Sequence, residues 1–396
     1  MKVCIVNNIY PPFARGGAEQ VVVRTVDGLL ESGHEVVLIT STPEPDAIER
    51  RGSLAVYRLR PPNLFFYTEA HRYTWLSRLV WHALDIFNLA VAWRVRAIVR
   101  VERPDVVHTH NLMGLSFLIP AVIRRLGIRH VHTVHDVQLV EPSAIILKQE
   151  EHSRRYTGLP IRLYSALMRA LIGSPTVVIS PSQFLLDFYR ARRFFLVSHC
   201  VVLRNPVTFD LDSAPLGQAA DGTFRFVYVG QIERHKGVHI LCQAFKELRK
   251  DRADTELHIV GDGSYLEAVR SRADGIAGIE FHGRVDKERL PEIFRRMDMA
   301  VVPSLCYENS PTVIFESFAF GVPVLASNIE GIAELIVEGE NGLTFAAGEA
   351  GALAAKMRWC AEHRGEVRAM SAKTKESLAG LSQREYIERL TELYRG

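Results

Sequence analysis

The chain lacks several features, and each absence excludes a class of protein. Cysteine is scarce: five in 396 residues, at Cys4, Cys200, Cys242, Cys306 and Cys360, with no CxxC pair. Odd in number and widely spaced, they argue against a disulfide framework or a cysteine-ligated zinc site, and for a reducing compartment. No run of about 18 apolar residues occurs, so no membrane-spanning helix is expected. The opening MKVCIVNNIY reads as a buried strand and lacks the charged start and cleavage pattern of a secretory signal. A complete GxGxxG after a strand is missing, which counts against a nicotinamide dehydrogenase, and so is HExxH. There is no short-period repeat or low-complexity tract. A cytoplasmic address follows as an expectation.

The length of 396 residues exceeds one ordinary core, so two domains are expected. Apolar residues make up 47% and charged residues 23%, the balance of a folded globular protein. The net charge of +3 hides an asymmetry: residues 1–205 carry 25 Lys+Arg against 16 Asp+Glu, the remainder 23 against 29. Opposite signs in the two halves point to different partners for each, with an anionic membrane or acceptor suited to the first. Charge alone is no case for nucleic-acid binding.

Short apolar runs alternate with amphipathic stretches. Val3–Val6, Val36–Ile39, Val106–His108, Val131–Val134 and Val177–Ile179 read as strands, with helices at Ala18–Glu31, Gly114–Leu126 and Gln183–Tyr189. A segment rich in Pro, Gly, Ala and Asp, Asn205–Gly222, reads as a linker, after which the rhythm restarts. Phe226–Val229, Leu257–Val260, Ile279–Phe281, Met299–Val302 and Val324–Ala326 are the next strands. This is the pattern of two doubly wound parallel sheets facing across a cleft. The expected division is residues 1–205, a linker at 206–222, residues 223–380, and a final amphipathic helix within 381–396. Ligands of such sheets sit beyond the carboxyl ends of the strands.

The loops at those ends carry the chemistry. In Asn7–Glu19, Gly16-Gly17 precedes a helix, either as an ordinary flexible turn or as a close approach to a diphosphate or sugar. Val229–Gly237 (VGQIERHKG) holds Lys236, either a solvated lysine or a phosphate partner. Gly261-Asp262-Gly263 turns into a helix, and Gly283-Arg284-Val285 ends a strand with main-chain groups a base could use. Glu308-Asn309-Ser310-Pro311-Thr312 leads into another helix, with Ser310 read as the N-cap and Pro311 as the first helical residue. The unpaired N–H groups of such a first turn favour a phosphate. Glu308 lies in the loop and Glu316 inside the helix, seven residues intervening; Glu316 is either a surface ion-pair partner or a ligand of hydroxyls. His108, His110, His130 and His132 line two strands, and His135-Asp136 follows. They read as core histidines or, less simply, as metal ligands, while His135 falls where a substrate would sit and could contact a hydroxyl or move a proton.

Taken together, GGAE (Gly16–Glu19), HTVHD (His132–Asp136), VGQIERHKG, IVGDG (Ile259–Gly263), FHGRV (Phe281–Val285), ENSPTVIFE (Glu308–Glu316) and FGVPVLASNIEGIAELI (Phe320–Ile336) resemble the family 4 retaining glycosyltransferases of the GT-B fold, the glycosyl transferases of group 1. The resemblance covers nearly the whole chain. It implies a nucleotide-diphosphate sugar, UDP or GDP, held mainly by the second domain. Lys236 would contact the diphosphate, Glu316 the ribose and Glu308 the transferred sugar. The Asn309–Thr312 helix start would add N–H donors, Gly283–Val285 would line the base, Gly16 and Gly17 would close over the donor, and His135 would approach the sugar. The final helix would cross back onto the first domain. Where the family often carries Arg, this chain has Gln231; Arg15, Arg234 or His235 could compensate. The family retains anomeric configuration, and no protein nucleophile is evident here. The leaving phosphate would take the acceptor's proton. Neither a metal nor another cofactor is expected.

The first half should choose the acceptor. Between Tyr67 and Arg103, Trp75, Trp81 and Trp93 stand among arginines, and Arg154–Leu171 is also basic and apolar. This reads either as helix packed on the sheet or as a surface that docks on the inner face of an anionic membrane, in which case the acceptor would be lipid-linked or a polysaccharide intermediate. Rival readings are a nucleotide-sugar epimerase of the same fold and a non-catalytic nucleotide-sugar binding protein.

Overall fold

A computed structural model of the chain describes residues 1–13, 16–207 and 222–396; Arg15 and most of the expected linker lie outside these. The chain forms two compact units. One comprises Met1–Ala144, Gly158–Pro206 and Gln383–Gly396, the other Ile145–Thr157 and Val207–Ser382. The sequence places residues 145–157 with the first half; their contacts place them in the second unit.

The first unit is built on strands β1 (Lys2–Val6), β2 (Glu35–Ser41), β3 (Ala47–Arg51), β4 (Leu54–Leu59), β5 (Val106–Thr109), β6 (Arg129–Thr133), β7 (Val177–Ser180) and β8 (His199–Val202). They form an eight-stranded sheet in the order β3-β4-β2-β1-β5-β6-β7-β8. Only β3 runs antiparallel, to β4. Its sequence, AIERR, is exposed and charged, so no apolar run announces it, and the charge protects a sheet edge from further pairing. The inner strands are buried on both faces because helices cover both, and the polar side chains of β5 and β6 (His108, Thr109, His130, His132) are buried with the rest. The helix expected from Gly114 begins only at Ile119. Gly114 itself sits at φ 91°, outside helical space, and donates its N–H to both oxygens of Asp85 at 2.9 and 3.0 Å. The tryptophan-bearing stretch is two helices, Trp75–Ile86 and Leu89–Glu102. Thr74 and Asn88 cap them, accepting from the Ser77 and Val91 N–H groups. The last helix, Gln383–Arg395, lays Tyr386, Ile387, Leu390 and Tyr394 into the core formed by Val22, Val26 and Leu29. Gly28 is the point of close approach, since a Cβ there would collide with Ile387.

The second unit holds β9 (Phe224–Val229), β10 (Thr255–Val260), β11 (Ile279–Gly283), β12 (Met299–Val302), β13 (Val324–Ser327) and β14 (Gly342–Phe345), in the order β11-β10-β9-β12-β13-β14. All pair in parallel. The chain enters at the central β9, winds outward through β10 to β11, then crosses to β12. The order therefore reverses between β9 and β12, and in an open parallel sheet the carboxyl ends flanking such a reversal bound the ligand crevice. The same reversal in the first unit lies between β1 and β5. Among the described residues no helix is long and apolar enough to cross a membrane.

Candidate active site

In the second unit, the two loops that leave β9 and β12 are stitched together. The Leu305 N–H donates to the His235 carbonyl at 2.8 Å. Gly237 sits at φ 72°, and a Cβ there would collide with the Pro303 carbonyl oxygen. Glycine is thus required twice at this position, by its backbone and by the neighbouring loop. The stitching delivers Lys236, at the end of the single turn Arg234–Lys236, to Glu308: the ammonium and the carboxylate form an ion pair. Ser304 Oγ donates to the same carboxylate oxygen at 2.9 Å. Burial pulls the Lys236 ammonium toward neutrality, but the Glu308 carboxylate overcomes that, and the pKa ends above its ordinary value. Two residues 72 positions apart in sequence so become one site at the sheet's reversal point.

The adjoining helix runs Thr312–Ala319. The expected cap shifts by one residue: Pro311 holds the N-cap position, with extended backbone, and accepts no side-chain cap bond, so Ser310 is not the cap and Pro311 is not the first helical residue. Asn309 and Ser310 are buried, and Thr312 opens the helix. Glu316 lies one turn into it and is half-buried. Gly283 ends β11 at φ 65° and accepts from the Gly261 N–H at 2.8 Å. Val285 packs on the core while Arg284 is exposed. This corner stands two strands from β9. Gln231 is exposed, its carbonyl accepting from Tyr228 Oη at 2.6 Å. Burial, then Lys236, lowers the pKa of His235, so Arg234, which is exposed, is the second cation of this turn at neutral pH.

The sequence missed what backs Glu308. Residues 145–157 pair with its loop: Lys148 N–H donates to the Leu305 carbonyl at 2.8 Å, and Tyr307 N–H to the Ile146 carbonyl at 2.9 Å. Lys148 Nζ lies 3.0 Å from Glu151, 2.5 Å from Glu330 and 5.8 Å from the Tyr307 ring centroid. Tyr307 Oη donates to Glu151. The one sequence signal was the i,i+3 pair Lys148–Glu151, which by itself marks any helical turn.

In the first unit, Gly16 precedes the helix that opens at Gly17, in extended conformation. The Glu19 carboxylate folds back toward it, and a Cβ on Gly16 would fall 2.5 Å from Glu19 Oε2. Burial raises the Glu19 pKa although backbone N–H groups of Gly16 and Glu19 hold its charged form. His135 follows β6 and shares a hydrogen bond with His110, Nε2 to Nδ1 at 2.9 Å. Both border a cavity with His132, Asp136 and Tyr189. Burial lowers His135 to about 4 and raises Asp136 to about 6. His108 is engaged by Tyr394 Oη at 2.6 Å and Thr133 Oγ1 at 2.7 Å, and Thr109 Oγ1 meets His130 at 2.8 Å and His132 at 2.9 Å. These are core histidines tied to hydroxyls. Of the three tryptophans between Tyr67 and Arg103, Trp81 is buried, donating Nε1–H to the Phe65 carbonyl at 2.7 Å, while Trp75 and Trp93 are each 71% exposed.

Residues 15–211 match the family described as Glycosyltransferase Family 4, and residues 223–363 match Glycosyl transferases group 1. A glycogen synthase of Mycobacterium tuberculosis is 26% identical over 372 residues, covering 90% of this chain and 85% of that protein. A lipopolysaccharide 1,2-N-acetylglucosaminetransferase of Salmonella typhimurium is 29% identical over 251 residues, 58% of this chain and 64% of that protein. Among solved structures, sucrose-phosphate synthase from Thermosynechococcus elongatus superposes with a TM-score of 0.76 at 20% identity, covering 100% of this chain and 98% of that one. HepE of Anabaena in complex with UDP-glucose gives 0.69 at 15% identity, covering 100% and 99%.

Proposed function

The chain belongs to glycosyltransferase family 4, the group 1 glycosyl transferases, and from that premise we propose that it is a retaining hexosyltransferase moving a sugar from a UDP-sugar or GDP-sugar to a lipid-linked or polysaccharide acceptor of cell-surface glycan assembly. The observation that carries this reading is the Lys236–Glu308 pair at the reversal between β9 and β12, directly before a helix start. An incoming diphosphate competes with Glu308 for Lys236, and the raised pKa keeps that ammonium charged for it. Glu308, released, is free to accept from hydroxyls of the sugar. N–H groups of the Asn309–Thr312 segment complete the cradle for the phosphate. Glu316 takes the ribose hydroxyls, and the main chain of Gly283–Val285 meets the base. In the first unit, Gly16 and Gly17 let the backbone approach the donor closely, and His135, neutral at physiological pH, serves as a hydrogen-bond partner of a sugar hydroxyl rather than as a cation.

Acceptor and leaving group react on one face of the anomeric carbon. The bond to the diphosphate oxygen breaks as the bond to the acceptor oxygen forms, and the acceptor's proton passes to the departing phosphate. The protein's part is positioning and stabilisation of that charge by Lys236, Arg234 and the helix N–H groups. We further propose that the exposed side chains of the helices Trp75–Ile86 and Leu89–Glu102, Trp75 and Leu79 on one and Leu89 and Trp93 on the other, together with the exposed Arg78 and Arg100, dock on an anionic bilayer, apolar groups entering the interface while arginines meet the headgroups.

The experiment is a thermal-shift panel of UDP and GDP sugars on the whole protein, followed by transfer assays with the donor that raises the melting point most. A shift with one nucleotide sugar, followed by transfer that keeps the donor's anomeric configuration in the NMR spectrum of the product, supports the reading. Conversion of the donor in the absence of acceptor would instead mark an epimerase.

A further inference from the structure

At the far edge of the second sheet lies a cluster that the transfer reaction does not use. We propose that His258, His282 and Glu280 form a binding site for a divalent transition-metal ion, with zinc the best chemical match, clipping the edge strand β11 to β10. The strand alternation creates it. His258 stands opposite Glu280 in the parallel ladder, and His282 is two residues further along the same face. One ligand atom from each of the three residues falls within 4.8 Å of the other two. His258 Nδ1 lies 3.0 Å from His282 Nε2 and 3.4 Å from a Glu280 oxygen. Two imidazoles and a carboxylate suit zinc, with the fourth position left to water.

A second observation points the same way. The other ring nitrogen of His258, Nε2, faces Glu256 at 3.4 Å, and Arg225 Nε donates to that same Glu256 oxygen at 2.8 Å. A carboxylate accepting from Nε2–H fixes the tautomer and turns the Nδ1 lone pair toward the cluster, the outer arrangement that orients metal-bound histidines. The site is open to solvent on one side, for Glu280 is 63% exposed while His258 is 7%. It also sits where the ladder needs support. Among the described residues β11 pairs on one side only, and its register with β10 breaks between Ile259 and Val260. The corner Gly283–Val285 follows His282 directly, so a bound ion anchors the strand that carries it.

The test uses untagged full-length protein stripped with EDTA, titrated with Zn2+ in competition with a chromophoric chelator and separately with Co2+ followed by its visible d–d bands. One equivalent is expected to bind, with Co2+ bands of low-coordinate N/O ligation. His282→Ala and Glu280→Gln each weaken uptake at least tenfold, and Glu256→Gln weakens it roughly tenfold through orientation alone. Zn2+ raises the melting point of the parent protein and not of His282→Ala. Because the two direct-ligand variants alter residues at a partly exposed edge, circular dichroism serves to confirm their fold. Uptake below one equivalent at micromolar ion, or uptake unchanged in both His282→Ala and Glu280→Gln, overturns the proposal. No sugar nucleotide enters this measurement, so its outcome is independent of the transferase reading.

Discussion

Lys236 and Glu308 show how a single pair depends on glycines around it. Gly237 lets the β9 loop touch the β12 loop, and Gly331 does the same from behind, where a Cβ would strike the Glu308 carbonyl. Removing Lys236 leaves a half-buried carboxylate without its cation and a diphosphate without its clamp. Lys236→Ala is therefore expected to lower kcat/KM by about 10²–10³, the range for loss of one charge-stabilising donor, while circular dichroism stays native. Glu308→Ala should cost similarly, and the double variant less than the sum, because each residue's role runs through the other. Full activity in the double variant would end the assignment. Gln231→Arg should act in the opposite direction: it adds a cation to an exposed position of the same loop, and steady-state kinetics should record a donor KM lowered several-fold.

At the level of elements, two helices divide their tryptophans between core and solvent. Trp81 stacks on Phe65 at 5.7 Å between centroids and is 2% exposed. Trp81→Ala is expected to cost about 3–5 kcal/mol in denaturant melts, as for large aromatic truncations in a core. Trp75→Ala and Trp93→Ala should stay within about 0.5 kcal/mol, since neither side chain is packed. Their effect should surface in flotation with vesicles containing anionic lipid, where the double variant partitions markedly less than the parent; equal flotation would remove the docking face. The segment 145–157 teaches a related lesson. It lies in the first half of the chain, yet its backbone bonds to the Glu308 loop make it an element of the second unit.

On the scale of the whole molecule, buried titratable groups set the pH response. His132 falls to about 3 and His135 to about 4, both through burial, so the fold holds them neutral. That contribution is complete above the unfolded value near 6.5 and is lost as pH falls toward those lower values. Asp85 rises to about 7 and Asp136 to about 6, again through burial, so folding opposes their ionisation, and this cost grows as pH climbs from about 4 toward 7. His108, His110 and His130 are pushed down by burial as well, so five such histidines outnumber the two aspartates and the melting temperature should drop on acidification below about 6.5. Asp85→Asn keeps an acceptor for the Gly114 N–H without the charge. It should melt higher than the parent at pH 8, with the gap narrowing toward pH 5; a gap that is constant across that range would show Asp85 to be ionised in the fold. The sequence by itself determined the doubly wound rhythm, since strands apolar on both faces and amphipathic helices between them leave few other ways to bury their surface. It also determined the strand-end positions of Lys236, Glu308, Gly283 and His135, because those ends follow directly from the strands. Only the tertiary structure decided that Lys236 meets Glu308, that Trp81 turns inward, that residues 145–157 serve the second unit, and that His258 and His282 share one edge. Each of those depends on which strand lies beside which, and strand order is fixed by packing between segments far apart in the chain, where local periodicity carries no information.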